Sequence, residues 1–140
     1  DGSVATGNPI LHEYGVPGKY NAILTVTDKF GAKSSAAVTV VVVDPYVVAG
    51  PSNLSVKASS RTITLSWTDN SDNETEFCIE WAVRAKTGPG PYSELVRVPA
   101  NQTSYSYRVS AGTYYYRVRA YNGNVGAYSP YSNVVSIRVK

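Results

Sequence analysis

Apolar and polar residues alternate along much of the chain, and the alternation is clearest in residues 112–120. Every second position carries an aromatic or apolar side chain, namely Tyr114, Tyr116, Val118 and Ala120. A period of two is that of a β-strand with one buried face, and Gly112 marks the turn that leads into it. No run has the three- and four-residue spacing of an amphipathic helix. The pattern therefore predicts an all-β protein.

Residues 51–140 repeat this alternation in seven short runs. The predicted strands are 54–56, 61–67, 77–83, 95–98, 105–109, 112–120 and 133–139. Their predicted inward side chains are Ile63, Leu65, Trp67, Phe77, Ile79, Tyr114, Tyr116 and Val118. A polar loop at 68–75 and the breaker Gly88-Pro-Gly-Pro91 separate three of the runs. Short strands at regular spacing, divided by turn residues, indicate a β-sandwich.

Residues 1–44 carry a second set of alternating positions. The predicted inward row comprises Tyr20, Ala22, Leu24, Val26, Val38, Val40 and Val42. So few strands cannot close a sandwich by themselves. We therefore expect the row to be covered by upstream sequence, by the second domain or by another chain. Segment 45–50, bounded by prolines, is predicted to be a short, semi-rigid linker.

Composition excludes several classes of protein. The chain has 140 residues, of which 43% are hydrophobic, and its net charge is +3. That composition suits a folded core, and without a basic cluster we expect no nucleic-acid partner. No apolar run approaches the roughly 18–20 residues that span a bilayer. The chain opens Asp1-Gly-Ser3, without a secretory leader, and we expect it to be part of a longer protein.

Cys78 is the single cysteine, so no disulfide within the chain is expected. It alternates with Phe77 and Ile79, which places its side chain on the outward face of the strand. Two interpretations follow from that position. The thiol is either a small side chain on a sheet face or a partly exposed group that pairs between chains.

Candidate catalytic and metal-binding residues are sparse. His12 is the sole histidine, and no nucleophile–base constellation accompanies it, so we predict no catalytic site. One histidine and one cysteine do not make a zinc site. The acidic positions of the loop after Trp67 are Asp69, Asp72, Glu74 and Glu76. Their spacing is not that of a calcium-binding EF-hand loop, and turn formation explains them better. We predict no metal and no cofactor.

Several segments of residues 49–140 resemble a fibronectin type III domain of the bacterial variety. These are Pro51-Ser-Asn-Leu54, Trp67 with the loop that leads to Glu80, and Tyr131-Ser-Asn-Val134. Tyr114 takes the place of the "tyrosine corner" residue of that family. The resemblance implies an immunoglobulin-like β-sandwich over residues 51–140.

The first 44 residues resemble the last strands of a polycystic-kidney-disease (PKD) domain. The resemblance lies in His12-Glu-Tyr14, Pro17-Gly-Lys-Tyr20, Leu24–Gly31 and Ala37–Val40. The early strands of that family precede the Asp-Gly pair that Asp1-Gly2 matches, and they are missing from this sequence. The resemblance therefore implies a partial PKD-like β-sandwich ahead of the complete fibronectin type III domain.

The outward face of the tyrosine strand is the candidate ligand-binding surface. With one residue of the neighbouring strand, it comprises Tyr115, Arg117, Arg119, Tyr121 and Arg84. Aromatic rings and guanidinium groups on a flat face stack on sugars or contact proteins. The alternative is cross-strand pairing inside the domain, with Glu80 facing an arginine.

The two resemblances imply a non-catalytic accessory and spacer region of a secreted or cell-surface bacterial protein. Its partners would be the other domains of that protein. One alternative is a carbohydrate-binding module that holds polysaccharide on the tyrosine–arginine face. Another is a subunit of an extracellular fibre, completed by strands of a neighbouring chain. The Asn-x-Ser/Thr triplets at Asn53, Asn73 and Asn101 matter only in a host that glycosylates proteins.

Overall fold

The computed structural model describes residues 2–7 and 9–140, and the chain divides into two compact units, Asp1–Asp44 and Pro45–Lys140. All regular elements of the described residues are strands. The strands are β1 (Gly18–Thr27), β2 (Lys33–Val42), β3 (Ser52–Ser59), β4 (Thr62–Thr68), β5 (Glu76–Ala85), β6 (Gly88–Pro89), β7 (Ser93–Pro99), β8 (Ser104–Arg108), β9 (Gly112–Asn122), β10 (Ala127–Tyr128) and β11 (Val135–Val139). Within the described part of the chain, no helix is long and apolar enough to cross a membrane.

The first unit is an antiparallel hairpin of β1 and β2. Asp28 closes its turn, because one carboxylate oxygen accepts the backbone N–H groups of Phe30 and Ala32 at 2.8 and 2.9 Å. Tyr20 pairs with Val40 in the register, so the predicted inward residues of the two strands lie on one face. Part of that face is open to solvent: Leu24, Val26 and Val38 are 55%, 59% and 61% exposed. The other predicted inward residues are half-buried, namely Tyr20, Ala22, Val40 and Val42.

The second unit is a β-sandwich. Strands β3, β4 and β8 form one sheet, and β5 and β9 form the centre of the other. In that second sheet β7 pairs with β5, and β11 pairs with β9. The all-β sandwich and its seven main strands are as predicted. The structure adds two short strands, β6 and β10; the first lies inside the breaker at 88–91 and pairs with the end of β5.

The core lies between the two sheets. All eight side chains predicted to point inward from β4, β5 and β9 are buried. Trp67 packs edge-on against Phe77, with ring centroids 5.7 Å apart. Val48, which precedes the first strand of this unit, is part of the same core and is 4% exposed.

Cys78 lies on the outward face of β5, as predicted, but its thiol is fully buried, so the interpretation as a partly exposed thiol was wrong. Strand β5 is central, so Cys78 lies between Arg97 of β7 and Arg119 of β9. Long arginine side chains cover the sheet on which they lie. Burial raises the pKa of the thiol, and the positive charge of Arg97 only partly offsets that effect.

Candidate functional site: a tyrosine–arginine stack on the outer sheet face

Glu80 is the centre of the outer face of the β5–β9 sheet. It lies opposite Arg117 in the register, and the two side chains form an ion pair of 2.6 Å. Arg119 reaches the other carboxylate oxygen at 3.2 Å, and the Tyr131 hydroxyl donates to that same oxygen at 2.7 Å. The carboxylate is only 10% exposed, so three donors satisfy a nearly buried charge.

The surroundings of Glu80 favour its charged form. Burial by itself would raise the pKa of the carboxyl group. The hydrogen bonds from Tyr131 and Arg117, together with the charges of Arg117 and Arg119, outweigh burial and hold the pKa below its usual range. The pair is therefore ionised at neutral pH.

Tyrosine rings cover both of these arginines. The Arg117 guanidinium lies between two rings, with its Cζ 4.1 Å from the Tyr92 centroid and 3.8 Å from the Tyr131 centroid. Arg119 lies between the next two, 4.8 Å from Tyr131 and 3.9 Å from Tyr128. Rings and cations thus alternate in the order Tyr92, Arg117, Tyr131, Arg119, Tyr128, which we call the tyrosine–arginine stack. Each such contact contributes about 0.5–2 kcal/mol, more where it is desolvated.

Arg97 on β7 lies beyond the Tyr128 end of the stack. Its guanidinium is 4.8 Å from the Tyr121 ring and donates to the Tyr128 hydroxyl at 2.8 Å. Ion pairs join it to Glu76 at 3.1 Å and to Glu94 at 3.2 Å. The hydrogen bonds to Tyr128 and Glu76 raise the pKa of this arginine.

The segment 128–132 supplies two rings of the stack and is tied to β9 by its serines. The Ser129 hydroxyl accepts the N–H of Ala120 at 2.8 Å, and the Ser132 hydroxyl accepts the N–H of Val118 at 3.0 Å. The N–H groups of the same two serines donate back to the carbonyls of Ala120 and Val118. The repeated pattern Tyr-Ser-x-Tyr-Ser is the sequence signal for this arrangement. Period-two alternation does not reveal it, because only Tyr128 of the segment lies in a strand, β10.

The candidate residues divide into two groups. Arg117, Arg119 and Tyr121 belong to the intramolecular network, Tyr121 through a ring contact of 4.4 Å with Tyr128. Tyr115 is half-buried toward the opposite end of β9, and Arg84 is exposed near the end of β5. Neither side chain has a hydrogen bond or ion pair among the described residues. Glu80 faces Arg117, as the cross-strand alternative predicts, and ligand binding by the face stays a prediction.

The acidic loop shows turn chemistry. Asp69 accepts the backbone N–H of Ser71 at 3.0 Å, and Glu74 accepts that of Asn101 at 3.2 Å. Glu76 points to Arg97 in the outer-face network. In the described part of the chain, no three His, Cys, Asp or Glu side chains converge as metal ligands would.

Tyr114 occupies the corner position that the resemblance implies. Its hydroxyl donates to the carbonyl of Ser110 at 3.0 Å, so the ring fixes the turn ahead of its own strand. Gly112 lies under the ring, where an added Cβ would be 3.1 Å from the hydroxyl oxygen. His12 is exposed, and its ring meets Tyr14 edge-on at 4.5 Å.

Comparison with known proteins supports both resemblances. Residues 1–43 match the family model described as PKD domain. The mouse protein "Dyslexia-associated protein KIAA0319 homolog" is 34% identical over 95 residues, which are 64% of this chain and 8% of that protein. The human protein of that name is 35% identical over 94 residues. The chain thus spans about 8% of the length of the curated relatives it matches.

Solved structures agree with the fold of the sandwich. A Fn3-like protein from Clostridium thermocellum is 20% identical, covers 67% of this chain and 95% of its own, and has a TM-score of 0.51. A FN3 domain of human collagen XX is 23% identical, with coverages of 66% and 92% and a TM-score of 0.50. The chain therefore combines a PKD-type segment with a unit of the fibronectin type III fold.

Proposed function

We propose that this chain is a non-catalytic accessory and spacer region of an extracellular or cell-surface protein. The observation that carries the proposal is the internal use of the outer face. Arg117 and Arg119 both form ion pairs with Glu80, and tyrosine rings cover both guanidinium groups. A face whose charged groups are paired and covered inside the domain favours a structural surface over an open ligand site. The PKD match and the fibronectin type III fold are consistent with this role.

A carbohydrate-binding module is the second candidate. The half-buried ring of Tyr115 and the exposed guanidinium of Arg84 favour it, because both are free to contact a sugar. Retention on insoluble cellulose and chitin separates the two candidates. A spacer passes through both columns. Retention that disappears in the Tyr115→Ala/Arg84→Ala variant, but not in a control variant that replaces the exposed Arg138 of β11 with alanine, would replace the spacer with the binding module.

A fibre subunit is the third candidate. The open apolar face of the β1–β2 hairpin favours it, because such a face and its free edges accept further strands. Light scattering across a concentration series distinguishes it from a spacer. The spacer proposal predicts the mass of one chain throughout, whereas a fibre subunit grows with concentration. Growth abolished by Val38→Lys, on the open face, would establish the fibre.

A further inference from the structure

Asn101 lies at the tip of the turn between β7 and β8, and its backbone is firmly held. Its φ of 62° is in the left-handed region, which asparagine adopts more readily than most residues. Its N–H donates to the buried carboxylate of Glu74 at 3.2 Å. The preceding N–H, that of Ala100, donates to the carbonyl of Thr75 at 3.0 Å. The turn therefore fixes the backbone from which the asparagine side chain projects.

The side chain of Asn101 is exposed, and its amide makes no hydrogen bond with any described residue. Thr103, two residues later, is exposed as well, and the Trp67 N–H binds only its backbone carbonyl, at 3.0 Å. Asn101-Gln-Thr103 thus keeps both reactive side chains of an N-glycosylation triplet outside the packed structure.

The asparagine amides of the other two triplets are hydrogen-bonded within the domain. The Asn73 amide donates to the carbonyl of Val47 at 3.1 Å, and Thr75 of the same triplet donates to the carbonyl of Tyr121 at 3.1 Å. A sugar on Asn73 would displace the segment that carries buried Val48. The Asn53 amide reaches Thr68 of the neighbouring strand at 3.3 Å.

We propose that Asn101 is an attachment site for an N-linked oligosaccharide. The donor is an oligosaccharide on a polyisoprenyl diphosphate. A bond forms between Asn101 Nδ2 and the first sugar carbon, the bond from that carbon to the diphosphate breaks, and the amide loses one proton, with no change of oxidation state. The inference rests on the proposed extracellular function, since this transfer takes place in the secretory pathway.

The test is secretion of the full chain, behind a cleavable leader, from a eukaryotic host that attaches N-glycans. Wild type, Thr103→Ser and Thr103→Ala are compared. Enzymatic removal of N-glycans in heavy-oxygen water converts an occupied asparagine to labelled aspartate, which peptide mass spectrometry locates. Label at Asn101 is expected in wild type and Thr103→Ser and absent in Thr103→Ala. All three variants should have equal melting temperatures, because Thr103 contributes only backbone to the fold.

Secreted, folded wild type without label at Asn101 would overturn the inference, as would equal labelling of the Thr103→Ala variant. Full labelling of Asn73 in the folded protein would overturn the contact argument that separates the triplets. None of these results affects the spacer proposal, which is decided by polysaccharide retention and by mass in solution.

Discussion

Glu74 and Glu80 are both buried carboxylates, and their surroundings differ sharply. Glu80 is met by two guanidinium groups and a hydroxyl. Glu74 receives one backbone N–H on one oxygen, and its other oxygen is buried without a hydrogen-bond partner among the described residues. Burying a charge is costly unless it is paired. Glu80 is therefore the carboxylate on which the outer face depends electrostatically.

Replacing Glu80 with glutamine should destabilise the domain by roughly 3 kcal/mol, because removing one partner leaves two largely covered guanidinium groups without a counter-charge. Urea denaturation measures the change. The matched control is Glu94→Gln, whose carboxylate is 48% exposed in its pair with Arg97. Exposed pairs of this kind contribute about 0–1 kcal/mol. Equal losses in the two variants would show that the central pair adds nothing beyond an ordinary surface contact.

Acid should weaken the domain through the same carboxylate. The pKa of Glu80 is lower in the folded protein than its usual value, so its contribution is fully present above the unfolded pKa, about 4.3. That contribution is lost as pH falls from there through the lower folded value. We expect the melting temperature of wild type to fall more steeply below pH 5 than that of Glu80→Gln. Parallel curves for the two proteins would contradict this assignment.

Segment 128–132 forms hydrogen bonds to β9 as an edge strand would, although most of the segment is not a strand. Serine hydroxyls at 129 and 132 satisfy β9 amides that would otherwise lie unpaired. The tyrosines at 128 and 131 lie over the arginines of the same strand. Segment 128–132 is thus attached to β9 in two ways, by hydrogen bonds to the backbone of β9 and by stacking of its tyrosine rings on the arginine side chains of β9.

Replacing Ser132 with alanine should leave the N–H of Val118 without its side-chain acceptor. An unsatisfied buried donor costs about 1–3 kcal/mol. Amide hydrogen exchange should accelerate locally at Val118, and at Ala120 in the corresponding Ser129→Ala variant. Ser136→Ala, at an exposed position of β11, is the control, with no local effect expected. Unchanged protection of Val118 in Ser132→Ala would mean that the hydroxyl does not hold the strand.

At the scale of the whole chain, the two units differ in how completely they bury their apolar residues. The sandwich has a closed core built entirely from residues 48–139. The hairpin of β1 and β2 has an apolar face and no second layer within residues 1–44 of the described chain, and a lone hairpin is marginally stable in water.

Removal of residues 1–44 should therefore leave the melting temperature of the sandwich unchanged to within about 2 °C, because no core residue is lost. Differential scanning calorimetry of the full chain and of residues 45–140 provides the comparison. Retaining Pro45 and Val47 matters, since Asn73 binds the carbonyl of Val47 at 3.1 Å. A drop of many degrees would show that the sandwich depends on the first unit.

Strand positions and core residues could be predicted because their signal is local. In β4, in β9 and in β5 as far as Trp81, every second side chain packs in or against the core, and alternation alone identified Ile63, Phe77 and Tyr116 as buried. The ends of strands were predicted less well: β3 continues past Val56 to Ser59, and β11 begins two residues after Asn133. Those ends are decided by backbone pairing with a neighbouring strand. The sequence of one strand does not contain the information on that pairing.

The contacts of the outer face could not be predicted from the local sequence pattern. The alternation predicted that Glu80 would face an arginine, but it did not indicate that Tyr92 and Tyr131 would enclose the guanidinium of Arg117. Those rings come from segments 25 residues before and 14 residues after Arg117 along the chain. Only the folded arrangement brings them together.

By itself, the sequence determined that the chain is all-β, which faces of the sandwich strands form the core, and that a segment resembling a PKD domain precedes a unit of the fibronectin type III fold. These properties follow from period-two alternation and short motifs, which depend on neighbouring residues alone. The tertiary structure decided that Cys78 is buried and that the arginines of the outer face are paired and covered. The reason is that the exposure of a residue on a sheet face depends on which long side chains of adjoining strands and loops cover it. The register of the strands and the path of the loops decide which side chains those are.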